Sequence, residues 1–191
     1  MLYQLIIIGD EMKKIIFVCH CILNPQSKVE SFKTEATEEE LNRKKFLKIC
    51  LENDISLVQL PCPEQLQLGL NRWGHSREQF NFPGFRDGCN SMLKDPLKLL
   101  REYETNEEIE VLGIVGINGS PSCGVDFSFS APFKGEISRN ENLEEMIKSG
   151  TVVDKPGIFI EVLKENLEKY NIDTKIVPID EETVNKLDIE G

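Results

Sequence analysis

The stretch Ile109 to Ile117 is an apolar run interrupted only by Glu110, Gly113 and Gly116. Such a run reads as a strand covered on both faces, which commits the chain to a sheet with layers on either side. The turn that follows is Asn118-Gly119-Ser120-Pro121-Ser122-Cys123-Gly124. Glycine opens backbone conformations closed to other residues and proline fixes φ, so this loop is stiff. It holds one thiol at the end of a central strand. Taken alone, it reads as a tight turn with a small buried cysteine, since free Cys is among the most buried residue types.

Other segments build the sheet around that strand. Ile15 to Cys19 is β-branched and unbroken, Ile55 to Leu60 is a second strand, and Thr174 to Ile179 is a last one. Thr37 and Glu40 make a capping-box pattern that predicts a helix to about Glu52. Phe46, Ile49 and Cys50 share one face of it, so Cys50 reads as core filler. Asp95-Pro96 predicts another helix start, with Asp as N-cap and Pro at the first helical position. Val125, Phe127 and Phe129 alternate with polar residues, as in a short half-buried strand. Asn142 caps a short helix ending near Gly150, and Gly157 to Tyr170 is amphipathic. Strands alternating with helices predict one α/β domain over residues 12–191, a doubly wound, Rossmann-like, mostly parallel sheet. Four core strands in the order 2-1-3-4, with a short extra hairpin, would place a switch point between the first and third. Met1 to Glu11 is left as an N-terminal appendage with no assigned function.

A formal charge of −11 argues against a general basic surface for nucleic acid. No segment approaches the roughly 20 apolar residues of a membrane span. The short run Leu5 to Ile8 lacks the basic start and length of a signal peptide, so the chain reads as cytoplasmic, with reduced thiols. Six scattered cysteines in such a chain point to metal or catalysis before disulfides.

Three of the six fall just past a strand: Cys21 after the first, Cys62 after the second and Cys123 after the third. Ligands of parallel α/β sheets bind outside the carboxyl ends of the strands, and neighbouring strands lie roughly 5 Å apart. Three chemistries suit converging thiols. One is a zinc site completed by His20 or His75, although structural zinc favours paired spacing. The second is an iron–sulfur cluster with one open iron acting as a Lewis acid. The third is a nucleophilic thiol, Cys19 or Cys62, beside a base. A non-catalytic metal or cluster module remains the alternative to an enzyme, as does a zinc- or thiol-dependent hydrolase.

Val18-Cys19-His20-Cys21-Ile22-Leu23, Pro61-Cys62-Pro63-Glu64 and Gly119-Ser120-Pro121-Ser122-Cys123-Gly124, in that order, resemble the 2-thiouracil desulfurase family. The resemblance covers roughly Ile15 to Ile179. It implies that Cys21, Cys62 and Cys123 hold a 4Fe–4S cluster with one open iron. Between Cys19 and Cys21, the two apolar residues that follow favour Cys21. It further implies a desulfidase that releases sulfide from a small thiolated molecule, such as a thio-nucleobase. Glu64 would then activate water or shuttle its proton, and Ser120 would assist proton transfer. The family's Leu-Leu-Gly after the first ligand is here Ile22-Leu23-Asn24, and its Gly-Gly-Leu-x-x-Pro-Arg segment becomes Leu68 to His75. These differences fall in expected pocket walls and point to a sister subfamily with another thiolated substrate.

The segment Gln65 to Gly88 has no clean period and reads as a lid or pocket wall. Within it His75 and Arg77 are candidate substrate contacts. Trp73 is also a candidate, against its ordinary reading as core. Asn24 is a candidate partner for a heterocycle edge, and Ser122 a turn hydrogen-bonder or substrate contact. The plainer readings are a helix-start charge for Glu64, a turn cap for Ser120, a packed Cys19 and a surface-loop thiol for Cys89.

Overall fold

The computed structural model describes residues 12–30 and 37–190. The proposed appendage lies outside the described residues. Strand β1 (Lys13–Val18) pairs in parallel with β2 (Ser56–Gln59) on one side and β3 (Ile109–Gly119) on the other. β3 divides its partners along its length. Ile114 to Gly116 pair in parallel with β6 (Ile176–Pro178), while Ile117 and Gly119 pair with β4 (Gly124–Ser130). β5 (Thr151–Val153) closes the edge antiparallel to β4. The expected order of four core strands is therefore present as β2-β1-β3-β6, and the extra hairpin is β4-β5.

Each helix buries one face. The capping box of α2 (Glu38–Glu52) is formed as expected: Thr37 Oγ1 accepts from the Glu40 N–H, and Glu40 Oε2 accepts from the Thr37 N–H at 2.8 Å. Its Phe46, Ile49 and Cys50 are buried. Helix α7 (Ile158–Lys169) buries Ile158, Phe159, Ile160, Val162, Leu163 and Leu167, side chains worth about 1.5–3 kcal/mol each in burial. Among the described residues no helix is long and apolar enough to cross a membrane.

Several expectations are corrected. Asp95-Pro96 does not begin a helix but lies inside the 22-residue α5 (Pro83–Glu104), whose N-cap is Phe82 and whose first residue is Pro83. Packing of Phe85, Cys89, Leu93, Leu97 and Leu100, four or three residues apart, outweighs the backbone bond lost at Pro96. Cys89 is accordingly fully buried and not a surface thiol. The segment read as a lid or pocket wall resolves into α3 (Pro63–Leu68), a loop from Gly69 to Ser76, the single turn α4 (Arg77–Phe80) and the start of α5, and its Arg72, Gly74 and His75 do form part of a cavity wall. Trp73 is not core: it is 79% exposed on that loop. In β4 the buried positions include Ser128, whose Oγ donates to Lys155 O at 2.8 Å, while Phe127 and Phe129 are half-buried. Helix α8 (Glu181–Glu190) buries Val184 fully.

Candidate functional site

The three strand ends carry the three thiols as short structural units. α1 (His20–Leu23) starts directly after β1, with Cys19 as its N-cap and Cys21 as its second residue. Cys62 is itself the N-cap of α3, and its Sγ accepts from the Gln65 N–H at 3.4 Å. Cys123 sits in the turn between β3 and β4. There Ser120 Oγ accepts from the Cys123 N–H at 3.0 Å and the Ser122 N–H at 3.3 Å. All six cysteines are free thiols.

The Cys123 turn is held from behind by the start of α7. The first amides of a helix have no partner within it. Here Ile158 N–H donates to Pro121 O at 3.1 Å, Phe159 N–H to Ser122 O at 2.9 Å, and Gly157 N–H to Gly124 O at 2.9 Å. A side chain at Gly157 would meet the Ser122 carbonyl carbon at 2.4 Å. Gly157→Ala is thus expected to push the turn off the helix start and to cost about 1–3 kcal/mol, the usual scale of overpacking. Thermal unfolding checks this, and Gly74→Ala is the control because a Cβ there meets nothing within 4 Å.

Cys21, Cys62 and Cys123 line one cavity of about 550 Å³. Glu64, Ser120 and Ser122 line it with them, as do Arg72 and His75. Phe129 and Phe133, tilted rings 5.8 Å apart, form its apolar side. Cys19 does not line the cavity. It is fully buried beside Gly116 and hydrogen-bonds Cys123 from within the core.

Their surroundings favour the protonated form of all three thiols. Burial pushes the Cys21 thiol up, and the neighbouring Cys123 and Cys62 add to it. Burial likewise raises Cys62, with Cys123 contributing. A hydrogen bond with Cys19, then burial, holds Cys123 well above the usual thiol value. A metal that binds them takes the thiolate and releases the proton.

Glu64 is buried yet held at both oxygens. Ser122 Oγ donates to its Oε1 at 2.5 Å, and Arg72 Nε donates to its Oε2 at 2.9 Å. Arg72 is buried as well, and its remaining groups donate to Ser27 O at 2.7 Å and Gly69 O at 3.2 Å. Ser122 Oγ also lies 3.3 Å from Ser120 Oγ and 3.6 Å from Cys123 Sγ. A carboxylate, two hydroxyls and three thiols thus share one small space.

Other expected contacts fall elsewhere. His75 stands on the cavity, stacked on Phe80 at 5.1 Å with Nδ1 bonded to the Trp73 carbonyl at 2.8 Å. Trp73 lines a neighbouring groove, which Lys28, Arg72 and Gly74 share with the cavity. Asn24 does not line the cavity and bonds His20 Nε2 at 3.3 Å. His20 bonds Gln59 through its Nδ1, so it is turned to its own neighbours and does not line the cavity. Arg77 is occupied by Pro156 O and Glu161, tying α4 to α7. Sequence reasoning passed over Arg72, the Lys28–Glu39 ion pair and the two phenylalanines of the lining. Only Arg72 left a signal, as one of three arginines in an aperiodic segment of an acidic chain.

Among the described residues, no group of three His, Cys, Asp or Glu side chains is gathered tightly enough to hold a single metal ion. A structural zinc ion needs four donors within about 2.0–2.3 Å of one point. The three cavity thiols line a common space.

A family model described as "Putative 2-thiouracil desulfurase" matches residues 12–176. An uncharacterized protein of Methanocaldococcus jannaschii is 32% identical over 161 residues, covering 83% of this chain and 91% of the relative. No solved structure matches the chain.

Proposed function

Because the chain belongs to the 2-thiouracil desulfurase family, we propose that it hydrolyses the C–S bond of a small thiolated molecule, such as a thio-nucleobase, and releases sulfide. One observation carries the reading: Cys21, Cys62 and Cys123, each from a different strand end, line one cavity with a buried carboxylate. The donor set fits a 4Fe–4S cluster. It consists of three soft thiols from three strand ends around one cavity, and Cys62 Sγ accepts from the Gln65 N–H. When bound, the cluster would supply a Lewis acid that draws electron density from the substrate's C–S bond.

The chain's own residues would supply the rest. The oxygen of water forms a bond to the thiocarbonyl carbon, the C–S bond breaks, and sulfur leaves as sulfide. No electron is gained or lost. Glu64 takes a proton from the attacking water, a role its burial beside the thiols supports. The Ser120–Ser122–Glu64 hydroxyl chain then offers that proton a way back toward the leaving sulfur. Phe129 and Phe133 present an apolar wall for a planar ring, and His75 presents a polar edge. Asn24 lies off the cavity, and Trp73 would meet only a substrate long enough to enter the adjoining groove.

Anaerobic reconstitution with iron and sulfide tests the reading. A brown protein containing iron and inorganic sulfide, and sulfide released from 2-thiouracil or a 4-thio relative with one oxo product per sulfide, is the expected result. A protein that takes up no iron, or a loaded one that leaves every thione intact, overturns it.

A further inference from the structure

Arg72 is the most constrained cation of the site. Its side chain is 3% exposed and that of its partner Glu64 is 8% exposed. The guanidinium reaches three separate segments: the carboxylate on α3, the carbonyl of Ser27 after α1, and the carbonyl of Gly69 at the end of α3. The two carbonyls are backbone groups and fix the plane of the fork. The direction of the Nε–H bond is then set, and with it one oxygen of Glu64. Ser122, anchored in the turn that α7 holds, sets the other oxygen. Neither bond depends on the flexible arm of the carboxylate.

We propose that Arg72 is the positioning residue of the site, its carbonyl-clamped guanidinium holding Glu64 at the angle from which the carboxylate takes the proton of the attacking water. The proposal rests on the desulfidase reading and adds a residue to it. Geometry and not charge is what Arg72 supplies. Lysine has a single ammonium on a rotatable stem and cannot join three segments in one plane.

The test has two arms. In the metal-free protein, the Arg72 Nε–H should give a slowly exchanging nitrogen-15 NMR signal that moves on Glu64→Gln. A signal exchanging as fast as that of an exposed arginine overturns the proposal. In the reconstituted enzyme, Arg72→Gln and Arg72→Lys should each lower kcat by about 10–100-fold, the usual scale for residues that orient a reacting group. KM should stay within about threefold and iron content should be unchanged. In the Glu64→Gln background, Arg72→Gln should lower kcat no further. Additive losses, full activity in Arg72→Lys, a rise in KM alone, or loss of iron would each overturn it. If Glu64→Gln itself keeps full kcat, the catalytic reading of Glu64 falls and the positioning role falls with it. If Glu64→Gln loses activity while Arg72→Gln does not, only the positioning role fails.

Discussion

Cys21→Ala, Cys62→Ala and Cys123→Ala are each expected to leave the protein without iron or inorganic sulfide after anaerobic reconstitution, with sulfide release at background. The reason is the donor set. Three thiols line the cavity, each on its own strand end, and no fourth cavity thiol stands in reserve. Cys19→Ala and Cys50→Ala should load normally. Cys19 and Cys50 are fully buried but do not line the cavity, so their loss is a packing defect of about 1–3 kcal/mol. Iron and sulfide analysis on the five variants decides the matter, with thermal unfolding to show that each one folds. Normal loading in Cys21→Ala together with failure in Cys19→Ala would move the first ligand to Cys19. Normal loading in all five would remove the cluster from the site.

Glu64→Gln is expected to keep its iron and lose about 10²–10⁴-fold in kcat, the range supplied by a positioned proton acceptor. It should also destabilise the protein, because Arg72 would be left buried with an unanswered charge. Removing one member of a buried ion pair costs about 3–5 kcal/mol. Glu64→Gln/Arg72→Gln removes both charges and should recover part of that stability while recovering none of the activity. Stability and turnover therefore separate in the double variant, which a purely structural Glu64–Arg72 pair could not produce. If the double variant regains kcat along with its melting temperature, Glu64 is a structural charge and the acid–base assignment is wrong.

Much of the scaffold was legible because it rests on local chemistry. The capping box of α2 needs only Thr37 and Glu40 three residues apart, and both reciprocal bonds are formed. Strands β1 and β3 announce themselves by their apolar runs, and the parallel order follows from alternation with helices. The α5 error has the same origin in reverse. Asp95-Pro96 is a strong local start signal, yet the face formed by Phe85, Cys89, Leu93 and Leu97 overrides it through packing that the dipeptide does not contain. Trp73 shows the same limit: aromatic character predicts burial on average, and the loop that carries it has no layer above it to supply burial.

What the sequence determined by itself is the set of strand ends and the type of residue standing at each: a cysteine after β1, after β2 and after β3, with Glu64 two residues beyond one of them. Strand pairing in a parallel sheet brings such ends together whatever the intervening helices contain, so their shared cavity was predictable. Only the tertiary structure decided what surrounds them. Arg72 meets Glu64 across eight residues and Ser27 across 45, Ser122 meets Glu64 across 58, and the start of α7 closes on the Pro121 and Ser122 carbonyls across 37. Contacts of that separation depend on how helices lie against the sheet. That is settled by the sum of many small packing terms and not by any residue's own preference.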